Sequence, residues 1–136
     1  DILYSSEKNH LGLFICDVTG HGITASLIAS MVKIALRGWE KILENPILIP
    51  DQIRDYMKDR LDKHFLTSGI CSINLDNLKM SYVNAGHPPI IHIGSDGKGK
   101  FINSKGRLIG SYFPTNSVET VISLSKGEKI VLYTDG

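Results

Sequence analysis

Leu11-Gly12-Leu13-Phe14-Ile15-Cys16-Asp17-Val18-Thr19-Gly20-His21-Gly22 is the stretch from which the fold of this chain is read. Leu11–Cys16 is a continuous apolar run between polar Ser5–His10 and Asp17, the pattern of a fully buried strand. Gly20 and Gly22 mark a tight turn. A helical stretch follows from Thr24 to Glu44. Its first half, through Leu27, Ile28, Met31, Val32 and Ile34 to Leu36, is apolar nearly all round, so it should be covered on most sides. Pro46 and Pro50 end that segment. Asp51 is the expected N-cap of a second helix, Gln52 to Phe65. On it Ile53, Tyr56, Met57, Leu61 and Phe65 share one face, opposite Arg54, Asp55, Lys58, Asp59 and Asp62.

The remainder reads as strands. Thr67–Leu75 and Lys79–Asn84 flank Asp76-Asn77, a hairpin turn signal. Pro89–Ile93 comes next, then a Gly- and Ser-rich loop, Gly94–Lys100, expected to be mobile. Val118–Leu124 and Lys129–Tyr133 read as a second hairpin around Lys126-Gly127. Helices grouped in the middle with hairpins elsewhere predict an α+β fold with antiparallel sheet, not alternating βαβ units.

Composition sets the bounds. The chain has 136 residues and a formal net charge of +1, from 15 Lys and Arg against 14 Asp and Glu. That length fits one domain burying roughly two-thirds of its unfolded surface, without disulfides or a structural metal. The charge balance gives no electrostatic ground for binding nucleic acid or an anionic membrane. No run approaches the ~18 apolar residues of a membrane span, and no signal-peptide pattern opens the chain. Cys16 and Cys71 each sit in an apolar run without CxxC spacing, and read as buried thiols of a reducing compartment. A cytoplasmic location is therefore expected. The chain stops at Leu132-Tyr133-Thr134-Asp135-Gly136, just as an apolar strand delivers an acidic residue to a turn. We therefore expect a partial domain, truncated at its C-terminus.

Three places carry candidate chemistry. In Cys16–Gly22 a buried strand delivers Asp17 to a glycine turn, where a carboxylate and a main-chain carbonyl can face one small volume. Hard cations such as Mg²⁺ or Mn²⁺ take such oxygen ligands. The alternative is a structural strand–turn–helix junction. Gly20-x-Gly22-x-x-Ala25 also matches a dinucleotide fingerprint. Against this, Asp17 would repel the pyrophosphate, Glu40 falls on a helix, and no second parallel strand follows. Asn84-Ala85-Gly86-His87-Pro88-Pro89 reads as a rigid turn, structural first, with His87 able to face the site. In Leu132–Gly136 a second apolar strand ends in an aspartate, Asp135, followed by glycine. Two such strand-end carboxylates repel and take up protons unless a cation neutralises them.

With these motifs in order, the sequence resembles the sporulation-protein-E-type branch of the bacterial metal-dependent (PPM, type-2C) serine/threonine phosphatases. The segments that carry the resemblance are Gly12–Gly22, similar to a "DVSGHG" box; Asn84–Pro89, similar to "AGHPP"; and Leu132–Gly136, similar to "LYTDG". Leu108-Ile109-Gly110 resembles a "PLG" step with Leu108 in place of proline. The resemblance implies a four-layer αββα sandwich of two antiparallel sheets flanked by helices, with the two helices above in one outer layer. It implies two Mn²⁺ or Mg²⁺ ions held by Asp17, the Val18 carbonyl and Asp135. Asp1 resembles the aspartate of a "GGD" box whose glycines are not in this chain, and a further acidic segment is expected beyond Gly136. The implied reaction is hydrolysis of phosphoserine or phosphothreonine on a protein, of the anti-sigma-factor antagonist type. Its basic leaving oxygen needs a proton, for which His21 is the candidate general acid and a metal-bound water the alternative. The all-round apolar character of Thr24–Leu36 leaves surface for a fused sensor or regulatory domain or for a homodimer contact. A catalytically inactive signalling module of the same fold, and more remotely a dinucleotide-binding domain, are the competing readings.

Overall fold

The computed structural model describes residues 1–134. In chain order it contains β1 (Ile2–Ser5), β2 (His10–Val18), α1 (Ile23–Ala35), α2 (Ile49–Met57), β3 (Leu66–Asn74), β4 (Lys79–Ala85), β5 (Ile90–Ile93), β6 (Gly99–Ile102), β7 (Glu119–Ser123) and β8 (Lys129–Val131). These strands form a five-stranded sheet, β1-β2-β3-β4-β7, and a three-stranded sheet, β6-β5-β8. Each pairing of neighbours is antiparallel.

The period-2 alternation of strands sorts residues into two cores. Phe14 lies opposite Ile70, and Ile70 opposite Val83. Together with Leu66 and Ala85 they pack against Ile28 and Val32 of α1 and Ile53 and Met57 of α2. One residue along, Leu13, Cys71 and Tyr82 point the other way, toward Ile90, Ile102, Ile130 and Leu132 around the smaller sheet. The molecule is thus a sandwich of two antiparallel sheets with both helices on one outer side, as the sequence predicts. The described residues supply three of the four layers. Cys16 and Cys71 are free thiols on opposite faces of the large sheet, which excludes a disulfide between them. Burial pushes the Cys71 thiol up to about 12.

Several local expectations give way to tertiary structure. The helix expected over Thr24–Glu44 stops at Ala35. Gly38, at φ 93°, reverses the chain and turns Trp39 into the core, edge-on to Phe14 at 6.3 Å between ring centres. The cover expected for its apolar first half is not found among the described residues: Ile23, Leu27 and Ile34 are exposed. The second helix starts earlier than expected. Pro50 lies in its first turn, where a missing N–H costs nothing, so Asp51 is inside the helix, not its cap. Asp51 instead accepts from the Thr115 N–H and hydroxyl at 3.3 and 3.2 Å and pairs with Arg54 at 3.0 Å. Tyr56 lies outside the core, under the Arg60 guanidinium.

The stretch expected as a mobile loop closes within Gly94–Lys98, and its last residues enter β6. The expected second hairpin does not form. β7 pairs with β4 in the large sheet and β8 with β5 in the small one, so the turn around Gly127 crosses between sheets. Both strands still send alternate residues, Ile122 and Leu124, Ile130 and Leu132, into the same core.

Candidate active site

β2 runs out at Asp17 and Val18, and the chain turns through Gly20 and Gly22 at φ 94° and 82°, a backbone that side chains other than glycine rarely adopt. α1 then begins at Ile23. The turn is pinned from below by residues distant in sequence. The Thr19 N–H and hydroxyl both donate to the Phe65 carbonyl, at 2.9 and 3.0 Å, and the Phe65 N–H donates back to the Thr19 hydroxyl at 3.0 Å. His64 Nδ1 lies 3.0 Å from the Thr19 carbonyl. A carbonyl only accepts, so Nδ1 carries the proton. Nothing local in the sequence marks His64 for this role, because its partner is 45 residues away.

Above the turn is an open cavity of about 310 Å³ lined by Asp17, Val18, Gly20, His21, Gly22 and Ser26, among others. Asp17 and His21 are exposed. The Asp17 carboxylate has no hydrogen-bond or ion-pair partner among the described residues. Beside it Cys16 is half-buried, and burial raises its thiol above the ordinary value, which suits a packing residue and not a nucleophile. The first turn of α1 has no side-chain cap, so its leading N–H groups remain free to meet an anion.

Asp17, the Val18 backbone and His21 are therefore brought together. Asp1 is not. It sits opposite Phe14, whose N–H donates to the Asp1 carbonyl at 2.9 Å, and its carboxylate pairs with Lys33 at 3.2 Å. That is three residues from Asp17 along β2, roughly 10 Å at strand spacing, and Asp1 lines different cavities. Asp135 lies outside the described residues. Among the described residues no three His, Cys, Asp or Glu side chains group closely enough to hold a metal.

The Asn84–Pro89 turn lies at the same end of the sandwich, because β4 ends where β2 ends and β3 begins. It is the rigid turn the sequence predicts. The Asn84 amide donates to the His87 carbonyl at 2.8 Å and to the Tyr82 hydroxyl at 3.0 Å, and accepts from the His87 N–H at 2.7 Å. The spacing of Asn84 and His87 is that of a side chain closing its own turn, a signal present in the sequence. What the sequence does not show is where the imidazole goes: into the protein, between Thr67 and Tyr133.

Paired antiparallel sheets with helices over one of them form a PP2C-like fold, that of the solved structures on which the chain superposes. The chain belongs to the family of stage II sporulation protein E (SpoIIE), whose model matches residues 7–136. It is 27% identical over 98% of its length to the phosphoserine phosphatase RsbU of Bacillus subtilis (strain 168), covering 40% of that protein. The solved RsbU and RsbW domains of Rv1364c from Mycobacterium tuberculosis superpose over 99% of the chain and 38% of that one, at TM-score 0.85 and 24% identity. RsbX, solved in complex with magnesium, superposes over 99% of the chain and 65% of its own, at TM-score 0.64 and 17% identity. The chain spans 34% and 40% of the first curated relatives it matches. β2 has antiparallel neighbours on both sides, so Gly20–Ala25 is not part of a parallel βαβ unit and the dinucleotide reading lacks its frame. No helix among the described residues is long and apolar enough to cross a membrane.

Proposed function

We propose that this chain is the catalytic part of a metal-dependent phosphatase acting on phosphoserine or phosphothreonine of a regulatory protein. The observation that carries the reading is Asp17: a carboxylate without a protein partner among the described residues, at a strand end beside main-chain carbonyls, facing a solvent-open cavity. That donor set fits a hard divalent cation, Mg²⁺ or Mn²⁺, which takes oxygen ligands and retains waters. Asp17, the Val18 carbonyl and Asp135 are the residues that would hold it. Asp1 would have to exchange Lys33 for the cation to join them. When bound, a pair of such ions supplies an acidified water and neutralises charge on the phosphoryl group.

The chain's own residues supply the rest. The uncapped N-terminus of α1 presents amide donors to a phosphate oxygen. His21, exposed at the cavity, would protonate the leaving serine or threonine oxygen. The glycines keep side chains out of the space the phosphate needs. Support for the substrate class comes from the family and from RsbU, a phosphoserine phosphatase; support for the cation comes from RsbX, solved with magnesium. Fused sensor or regulatory domains, a cytoplasmic setting and a homodimer belong to the same reading.

The test uses the full protein with Mn²⁺ and a phosphoserine protein substrate. Asp17→Asn should lower Mn²⁺ affinity and reduce kcat at least 100-fold, while His21→Gln should reduce kcat roughly 100-fold or more, the range of general acid catalysis. Hydrolysis unchanged in Asp17→Asn refutes the reading. Mn²⁺ binding without turnover of any phosphoprotein would instead identify a non-catalytic signalling module.

A further inference from the structure

We propose that His87 is a positioning residue: its imidazole ties the strand end that carries Asp17 to the chain at Tyr133, and so holds Asp17 in place for a cation. The proposal rests on the reading that Asp17 is a ligand of that cation.

His87 is 6% exposed, and both its ring nitrogens are engaged. Nε2 lies 3.0 Å from the Tyr133 carbonyl, and Nδ1 lies 2.9 Å from the Thr67 hydroxyl. The carbonyl has only lone pairs, so Nε2 must carry a proton and donate. In the neutral ring Nδ1 is then the acceptor and the Thr67 hydroxyl the donor. The arrangement is satisfied at both ends with one tautomer and no water.

The two partners belong to different sheets. Thr67 is on β3 of the large sheet, directly opposite Asp17 in the β2–β3 register. Tyr133 follows β8 of the small sheet and stands two residues before Asp135 in the chain. The imidazole is therefore a strut across the open end of the sandwich. The strut has a fixed base, because the Asn84 side chain holds the His87 N–H at 2.7 Å and its carbonyl at 2.8 Å. Metal ligands need to be held within about 0.5 Å of their working geometry by such supporting contacts. Groups that support metal ligands in this way typically govern metal affinity by 10–100-fold when removed.

A histidine that merely fills space would lower thermal stability when replaced and leave the metal affinity of the folded protein unchanged. Positioning predicts something else. In the full protein, His87→Leu should weaken Mn²⁺ binding, measured by electron paramagnetic resonance titration, at least 10-fold in samples whose circular dichroism shows them folded. It should lower kcat while leaving KM for the phosphoprotein within about twofold, since His87 does not touch substrate. His87→Gln, whose amide nitrogen can replace Nε2 as donor to Tyr133, should recover most of the affinity. Thr67→Val, isosteric and lacking only the hydroxyl, should weaken Mn²⁺ binding about threefold or more, and it carries the test if His87→Leu does not fold. Asp17→Asn is the reference. If it abolishes Mn²⁺ binding while His87→Leu, or Thr67→Val in its place, leaves affinity within twofold of wild type, the proposal is overturned and the metal reading stands. If Asp17→Asn itself leaves Mn²⁺ affinity unchanged, the metal reading fails and the proposal with it.

Discussion

Replacing Asn84 with alanine is the sharpest stability test of how this end of the sandwich is held. Asn84 is 3% exposed, and its amide makes hydrogen bonds of 2.7, 2.8 and 3.0 Å to the His87 N–H, the His87 carbonyl and the Tyr82 hydroxyl. Deleting it leaves the N–H and the carbonyl of a residue that is itself 6% exposed without partners. A buried unsatisfied polar group costs about 1–3 kcal/mol. The Tyr82 hydroxyl also loses its donor, but a rotatable hydroxyl can itself donate and adds little. Two orphaned groups, partly relieved by a water entering the vacated space, give a loss of about 2–4 kcal/mol. With an m-value of about 2 kcal/mol/M for a chain of this size, the urea midpoint should fall by roughly 1–2 M at unchanged slope. Trp39, the chain's one tryptophan, sits in the helical core and reports the transition by fluorescence. Asn77→Ala is the control, since the Asn77 side chain makes one bond, from the Lys79 N–H, on the exposed β3–β4 turn, and should cost under about 0.5 kcal/mol. Equal losses in the two variants would refute the reasoning, because they would show that burial of the Asn84 network contributes nothing.

Three further outcomes are expected. Ile53→Ala, at a fully buried position of α2, should cost about 2–4 kcal/mol, whereas Leu27→Gln on the exposed side of α1 should cost under about 0.5 kcal/mol; urea unfolding of both compares the two helix faces. Gly106→Ala drives a Cβ into the Asn84 carbonyl oxygen, so backbone must move and the variant should lose about 1–3 kcal/mol or more, read as a drop in Tm. The Glu128 carboxyl is held below its ordinary value by the Ser125 N–H and then by His92 at 2.9 Å. A lowered folded value means stability that is present above the unfolded value of about 4.3 and lost as pH falls through the folded one. Acid unfolding of wild type should accordingly be steeper below about pH 4.3 than that of Glu128→Gln, and parallel curves would disprove the linkage.

Local pattern sufficed for the parts of the fold that are locally determined. The Leu11–Cys16 run, the Asp76-Asn77 turn, and the buried residues Ile53 and Met57 of α2 follow from period and turn chemistry, although α2 ends at Met57 and not at the Phe65 expected. The misread elements depend on something more distant. Apolar residues continue past Ala35 at helical spacing, but Trp39 gains more by turning onto Phe14 than by extending α1, and Gly38 permits the turn. β7 and β8 show the alternation of a hairpin because each buries one face. Alternation specifies a face, not a partner, and here the shared face is the space between two sheets. β6 was hidden because β5 gives it backbone partners that its own exposed residues do not advertise.

For the site the division falls differently. The acidic residues and glycines are legible because a cation or a phosphate imposes its chemistry on single positions: a hard oxygen donor, and backbone without side chains in the way. The residues that hold them in place carry no such mark. Thr19 is anchored by Phe65 and His64, 46 and 45 residues away, and Thr67 and Tyr133 meet His87 from 20 and 46 residues away. Each of these contacts uses a backbone carbonyl or a hydroxyl that nearly any strand end can provide, so the choice of partner is made by register alone. In β2–β3 that register pairs Asp17 with Thr67. A slip of one residue would turn every side chain of β2 to the other face, sending Phe14 out of the helical core and Asp17 away from its cavity together. The same apolar alternation that stabilises the large sheet therefore fixes where the carboxylate stands. Among the described residues no lysine or arginine lines the cavity that Asp17 faces and none pairs with it, so its charge is left to be met by a ligand.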